Sequence, residues 1–414
     1  MFLSGGRRDP PLQVSEGEDM KLGRKYKLMK FLFSIMKEEP KDMDKLFELL
    51  GELKGVPQKF GQFLYLKDRR RYGIFGRLLD EGIPANDIAL YRRAQQLTNH
   101  QIALSEKPIA AASIGQVYEG VFEGSSVIVK VQYPEIQENM DHDFRFMKKV
   151  FSLFFNFFRF PQESRNLLLA YLEEFEETFQ VETDYLHEEK LLKQFHELFA
   201  DDQRFYIPTT VGQFTKREII VEEKCMGMPL RFFLQEAAEG EKREVLDLLF
   251  SFYFQSFLER GILHGDPHSG NFFVRKDKDN IVLEVIDFGC VKVYELSFVE
   301  NLKSLMMCLR EENYQEVPKI LMSLGFKEDE IKSYGKALLP ILDTIFEPLL
   351  LDEAFDFKYW KLTYKLNTIM GSKVFEKTLS LPKDLLILFR VFHGCIAHVY
   401  HLEEKVFNVY RYIK

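Results

Sequence analysis

Three short stretches of this sequence carry side chains suited to work on phosphate. The first is His264-Gly265-Asp266-Pro267-His268-Ser269-Gly270-Asn271, and the second, across one strand pair, is Asp287-Phe288-Gly289. Phosphoryl transfer asks for a carboxylate near the incoming hydroxyl, and for oxygen ligands on the magnesium ion that neutralises the phosphates. Asp266 is the candidate catalytic carboxylate. Asn271 on the same loop and Asp287 at the end of the following strand are the candidate metal ligands. A D-F-G triplet alone is a weak signal, whereas Asp-x4-Asn, a strand pair and then D-F-G in that order is specific. A polar turn capping a helix would not account for the order.

The third stretch is Val127-Ile128-Val129-Lys130, a strand ending in a lysine that could hold phosphates, placed like the V-A-I-K of protein kinases. Such a cation is held by a helix carboxylate. Glu188 is the candidate, because in a helix from Asp184 to Phe199 it shares a face with Leu191, Leu192 and Phe195. A charge on an apolar face needs a buried partner, while Glu189 falls on the polar side with Lys193. No G-x-G-x-x-G precedes Lys130. Ala110, Ala111, Ala112 and Ser113 stand where glycines would cover the nucleotide, and they are the remaining candidate ATP-binding residues. Alanine reaches positive φ poorly, so this loop is expected to be stiffer than a glycine loop. Ile128 replaces the small residue of V-A-I-K, and its bulk bears on nucleotide affinity or choice. No A-P-E follows Gly289, and helical text resumes soon after it. That leaves little room for an activation segment.

Around these stretches the pattern predicts two hairpins. One joins Gln116–Phe122 to Val127–Gln132 through Glu123-Gly124-Ser125-Ser126, and the other joins Asn271–Val274 to Ile281–Ile286 through a charged turn. Arg217–Glu223 reads as a further strand. Helical periodicity covers Leu46–Leu66, Asp87–Leu97, most of Glu138–Phe199 and the run from Pro229 to Arg260. Everything after Tyr294 reads as helical. The expectation is an α+β chain with a small strand-containing lobe before a large helical one. Residues 1–20 form a tail, 21–105 a helical extension, 106–224 the first lobe and 225–414 the second.

The chain has 414 residues, 46% of them hydrophobic and 29% charged, enough for a sizeable core and against global disorder. A net charge of −8 argues against binding nucleic acid by bulk electrostatics. Four cysteines with no C-x-x-C pair argue against a zinc ribbon or a disulfide framework. The opening residues are polar, which argues against a secretory signal, and no apolar run approaches the roughly 18 residues of a membrane span. A cytoplasmic or peripheral-membrane protein is expected. Phenylalanine is abundant, with 40 against a single Trp. Its cluster at Phe151–Phe160, beside Lys148, Lys149 and Arg159, suits core packing or an aromatic membrane contact. The basic, amphipathic Lys21–Lys37 likewise suits a helix packed on the body or one lying on anionic lipid. The histidine pairs do not have metal-site spacing.

Taken together, AAASIGQVY, VIVKVQYP, HGDPHSGN and VIDFG resemble the UbiB/AarF (ADCK-type) family of atypical kinases. Lys59-Phe60-Gly61-Gln62 resembles that family's K-x-G-Q motif. Glu182-Thr183-Asp184 resembles its E-x-D motif. The resemblance implies a two-lobed protein-kinase-like fold with an N-terminal helical extension across the active site. In it Lys59 would meet Glu182 or Asp184, and Gln62 would point inward. It also implies ATP and Mg2+ as cofactors, and ATPase or small-molecule/lipid kinase activity. The role implied is support of isoprenoid-quinone (ubiquinone) biosynthesis at a membrane, with an isoprenoid lipid, an anionic membrane surface and quinone-biosynthesis proteins as partners. Two alternatives stand beside it. One is a small-molecule kinase of the aminoglycoside/choline phosphotransferase type, against which the Ala-rich loop and Lys59–Gln62 speak. The other is a non-catalytic, nucleotide-dependent lipid-binding protein.

Overall fold

Two strand pairs, one nested inside the other, bring the two phosphate-directed loops of the sequence together. The computed structural model of the chain describes residues 88–111, 114–134, 136–157, 183–277, 280–350, 352–353, 355–371, 382–401 and 406–407, with scattered positions between 169 and 181. The contacts divide into two compact units. One comprises the described residues up to Tyr185 together with Gly212–Val221, and the other comprises Leu186–Val211 together with Glu222 onward. Lys59, Gln62, Ala112, Ser113, Glu182, the Lys21–Lys37 segment and the end of the Phe151–Phe160 cluster lie outside the described residues.

In the first unit, helix α1 (Ile88–Leu97) precedes a five-stranded sheet. Its central strands are β3 (Gly115–Phe122) and β4 (Ser125–Gln132), paired antiparallel from Gly115↔Gln132 to Phe122↔Ser125. The turn is therefore two residues, Glu123 and Gly124, and not four. Both have positive φ, 50° and 84°, as a type I′ hairpin turn requires. Ser125 and Ser126, expected in the turn, belong to β4 because this tight turn lets pairing begin at once. Strand β6 (Ile219–Glu223) adds beyond β4. On the other edge of β3, β1 (Ala103–Leu104) and β2 (Ala110–Ala111) pair with its two ends. Ala110 and Ala111 thus sit on a sheet edge and not in a free loop.

One face of β3 and β4 presents Tyr118, Val127, Val129 and Val131, all buried. The alternate residues Val117, Glu119, Ile128 and Lys130 are only half-buried, as period-two alternation dictates. Gly115 has no room for a side chain, since a Cβ there would overlap the Val131 carbonyl. Gly115→Ala is expected to lower stability by about 1–3 kcal/mol through overpacking, read by chemical denaturation. An unchanged midpoint would refute the close approach. Helix α2 (Ile136–Phe157) brings Phe144 against Phe175 and Phe179, with centroids 5.4 and 6.3 Å apart.

The second unit begins in helix α3 (Tyr185–Phe199) and is organised around α5 (Glu239–Arg260), which follows the short α4 (Leu230–Glu236). Helix α5 is buried on several sides through residues such as Leu246, Phe250, Phe252, Tyr253 and Phe257, so it reads as a central core helix. It ends at Gly261, φ 65°, whose amide returns to the Phe257 carbonyl. Strand β8 (Ile262–His264) leaves that cap and pairs antiparallel with β11 (Val291–Val293). Between them in sequence lies the hairpin of β9 (Phe272–Asp277) and β10 (Asn280–Val285), which is longer than expected on β9. β5 (Phe205–Tyr206) runs parallel to β10, and β7 (Met228–Pro229) pairs with β9.

Beyond Tyr294 come α6 (Leu296–Arg310), α7 (Val317–Ser323), α8 (Glu328–Tyr334), α9 (Leu338–Leu350), α10 (Phe357–Trp360), α11 (Leu362–Met370) and α12 (Lys383–His401). The region is not wholly helical, because β12 (Phe355–Asp356) pairs with β13 (Val406–Phe407). Two-residue strands are too short to show a period, which is why β5, β7, β12 and β13 leave no trace in the sequence pattern. None of the described helices is long and apolar enough to cross a membrane.

Candidate active site

The nesting of β8/β11 around β9/β10 decides where the functional loops go. Residues 265–271 connect β8 to β9, and residues 286–290 connect β10 to β11. Both loops therefore leave the same end of the two ladders. The Ile286 amide donates to the Asn271 carbonyl at 3.0 Å, and the Gly265 amide donates to the Cys290 carbonyl at 2.5 Å. Gly265 is required at that crossing, since a Cβ would stand 2.6 Å from the Cys290 carbonyl oxygen and 2.8 Å from its Sγ.

Within the first loop, Asn271 Nδ2 donates to Asp266 Oδ2 at 2.9 Å and to the Asp266 carbonyl at 3.2 Å. Asn271 is buried and Asp266 half-buried. The Asn amide thus orients the Asp carboxylate, and its own Oδ1 is the atom remaining for a cation. Asp287 is exposed and has φ 63°, a left-handed conformation uncommon for a residue with a side chain. Strained backbone of this kind concentrates at functional sites. Its Oδ1 accepts from the Gly289 amide at 3.4 Å.

His264 links the two loops and was not flagged by the sequence pattern. Its ring is fully buried. Nε2 lies 2.7 Å from the Asp287 carbonyl, and Nδ1 lies 3.4 Å from the Asp266 amide. A carbonyl only accepts and an amide N–H only donates, so Nε2 carries the proton and Nδ1 accepts. One imidazole therefore spaces the main chain of the candidate base against that of the candidate metal ligand. It packs edge-on to Phe288, with centroids 5.5 Å apart at 83°. Phe288 in turn meets Phe195 of α3 at 4.9 Å. Behind the loop stands Tyr253 of α5, whose buried hydroxyl has no hydrogen-bond partner among the described residues. Burial, then the charges of Cys395, Asp266 and Cys290, push this phenol well above its ordinary value.

Glu188 is 4% exposed, with Leu191, Leu192 and Phe195 buried beside it. Its carboxylate lies over the D-F-G glycine: a Cβ on Gly289 would meet Glu188 Oε2 at 3.4 Å. Glu189, expected on the polar side, does reach Lys193 at 3.2 Å, but it also accepts from the Thr210 hydroxyl at 2.6 Å. Glu188 belongs to the second unit and Lys130 to the first. In the first unit, Ala110 pairs with Val117 and Val117 pairs with Lys130, so the three stand in one cross-strand row. That row sets Ala110 and Lys130 on either side of Val117. Asp184 is engaged by Arg217 at 3.5 Å. The neighbouring Thr183 is buried, and its carbonyl accepts from Gln132 of β4 at 2.9 Å, so the E-x-D segment is tied to the strand that carries Lys130.

After β6, the Gly227 amide donates to Glu284 Oε2 at 2.8 Å. Glu284 is buried on β10 and is held on its other oxygen by Arg275 at 2.8 Å. A charge inside the apolar run of β10 was the available sign of such a role. Glu223, just upstream, is subject to burial that would raise its pKa, yet hydrogen bonds from Thr209 and Tyr206 hold the carboxyl below its ordinary value.

Known proteins resemble this chain. Residues 92–321, more than half of the chain, match the model of the ABC1 atypical kinase-like domain. The mitochondrial atypical kinase COQ8 of Saccharomyces cerevisiae is 23% identical over 85% of this chain and 72% of that protein. The mitochondrial atypical kinase coq-8 of Caenorhabditis elegans is 25% identical over 73% of this chain but only 40% of its own length. Among solved structures, Rv3197 of Mycobacterium tuberculosis, in complex with erythromycin, superposes with a TM-score of 0.61 at 22% identity. The match covers 89% of this chain and 94% of that one, and it shows the fold. With a protein-kinase-like α+β fold and the Asp266, Asn271 and Asp287 loops assembled on it, the chain belongs to the ABC1 atypical kinase-like (UbiB/AarF) family.

Proposed function

We propose that the protein is an ATP- and Mg2+-dependent atypical kinase-like enzyme, an ATPase or a small-molecule or lipid kinase. The observation that carries this is the Asp266–Asn271 hydrogen bond joined through His264 to Asp287. Asp266 accepts the proton of the attacking hydroxyl or water, and Asn271 holds the carboxylate in the orientation to do so. The donor set suits magnesium, a hard cation that prefers oxygen. Asn271 Oδ1 and the exposed Asp287 carboxylate would hold the ion, which would neutralise phosphate charge. Lys130 is assigned to the phosphates and Glu188 to holding that lysine. Ala110 and Ala111, with Ala112 and Ser113 beyond them, are assigned to covering the nucleotide. Lys59 and Gln62, with Glu182 and Asp184, are assigned to regulating access. A supporting role in isoprenoid-quinone biosynthesis, at an anionic membrane surface and with an isoprenoid lipid as ligand, follows from the family resemblance.

The test is ATP turnover by the full chain, with and without Mg2+ and with and without anionic liposomes, beside Asp266→Asn. Loss of a positioned general base is expected to lower kcat by about 10²–10⁴-fold, with nucleotide binding retained. Turnover that survives in Asp266→Asn would refute the assignment. Liposomes that leave the wild-type rate unchanged would count against the membrane role alone.

A further inference from the structure

Helix α12 lies beyond the residues matched to the family domain, yet it reaches the Asp266 loop at three points. Arg390, Gly394 and His398 recur every fourth residue, so they share one helix face. His398 is buried, and its Nε2 lies 2.6 Å from the Pro267 carbonyl. That carbonyl only accepts, so His398 donates. Gly394 makes room for the Pro267 ring, because a Cβ there would overlap Pro267 Cγ. Arg390 Nη2 reaches the Gly265 carbonyl at 3.5 Å. The His398 ring also stands edge-on to Phe272, the residue after Asn271, with centroids 6.4 Å apart at 86°.

The N-terminal end of the same helix holds the strand that follows D-F-G. Asp384 Oδ1 pairs with Lys292 at 2.7 Å, and the Asp384 carbonyl accepts from the Tyr294 hydroxyl at 3.1 Å. Residues 265–271 are anchored at their ends by β8 and β9, but Pro267 in the middle has no amide to give. Its carbonyl is the main-chain group by which Pro267 itself can be held, and His398 takes it.

We propose that His398 is a positioning residue, bracing Pro267 so that Asp266 and Asn271 keep their mutual orientation, with Gly394 as the clearance that lets the brace close. Its catalytic consequence rests on the assignment of Asp266 as the base. The test compares His398→Leu with His398→Gln in the full chain, reading amide hydrogen exchange at residues 265–271 and the kinetics of MgATP turnover. His398→Leu is expected to speed exchange of that loop about tenfold relative to β10. It should also lower kcat about tenfold while KM for ATP stays within about twofold. His398→Gln can donate to the same carbonyl and is expected to restore both. Unchanged exchange, faster exchange with unchanged kcat, or a kcat loss that His398→Gln does not rescue would each overturn the proposal. If His398→Leu does not fold, Gly394→Ala serves, since its added Cβ would displace the Pro267 ring. A folded Gly394→Ala chain with wild-type exchange and kcat would overturn the proposal equally. Should the wild type show no ATP turnover, the enzyme assignment falls by itself, and the exchange comparison still decides the brace.

Discussion

Asp287→Asn is expected to abolish the Mg2+-dependent part of the thermal stabilisation that ATP or ADP confers on the protein. A ligand that binds only the folded state stabilises it by about 2.7 kcal/mol at a hundredfold excess over its dissociation constant, so the wild-type shift should be easy to measure. Asp287 is exposed, and its side chain is not part of the core, so the substitution should leave the unliganded melting temperature nearly unchanged. Its main chain, at φ 63° and accepting from His264, is retained by Asn, a residue that tolerates the left-handed region. What is lost is half of the charge that a divalent ion requires. The measurement is a thermal melt with nucleotide in Mg2+ and in EDTA. A mutant that keeps the full Mg2+-dependent shift would remove Asp287 from the metal site.

His264→Leu should damage both stability and turnover, because one ring serves both loops. Leucine fills similar space but cannot donate to the Asp287 carbonyl or accept from the Asp266 amide. Each buried polar group left without a partner costs about 1–3 kcal/mol. The structural cost should therefore be large enough to lower the melting temperature by several degrees. The functional cost should be larger in proportion, since Asp266 and Asp287 lose their common spacer. Displacements of order 1 Å in a reacting geometry can cost about 10²-fold in rate. Turnover measured well below the melting temperature of the mutant separates the two effects. A folded His264→Leu protein with wild-type kcat would show that the imidazole is only core filling.

Much of the site was legible in the sequence because the chemistry dictates residue types at short range. Asp266 and Asn271, five residues apart on one loop, are close enough in sequence to share a hydrogen bond. Asp287 must follow a strand pair to return beside them, and spacing alone reports both. Glu188 was legible for a different reason: a charge on the Leu191, Leu192 and Phe195 stripe has to be buried, and it is. Lys59 and Gln62, which lie outside the described residues, are proposed through the family resemblance alone, since a lone lysine and glutamine have no local signature.

Other features were out of reach of any local pattern. The β8/β11 ladder is three residues a side, and the paired segments are separated by the whole β9/β10 hairpin. His264 looks from the sequence like one histidine before a glycine, and His398 like one of three near the end of the chain. Their partners are main-chain carbonyls of Asp287 and Pro267, and a carbonyl is present at every residue, so composition and spacing cannot single it out. Gly394 and Gly265 are likewise explained only by what a Cβ would strike. The sequence by itself thus determined the candidate loops that carry Asp266, Asn271 and Asp287, the two hairpins and the helix that buries Glu188, because side-chain type and period encode these locally. Only the tertiary structure decided which backbone atoms hold the loops in register, because long-range contacts to main-chain groups leave no periodic trace in the chain.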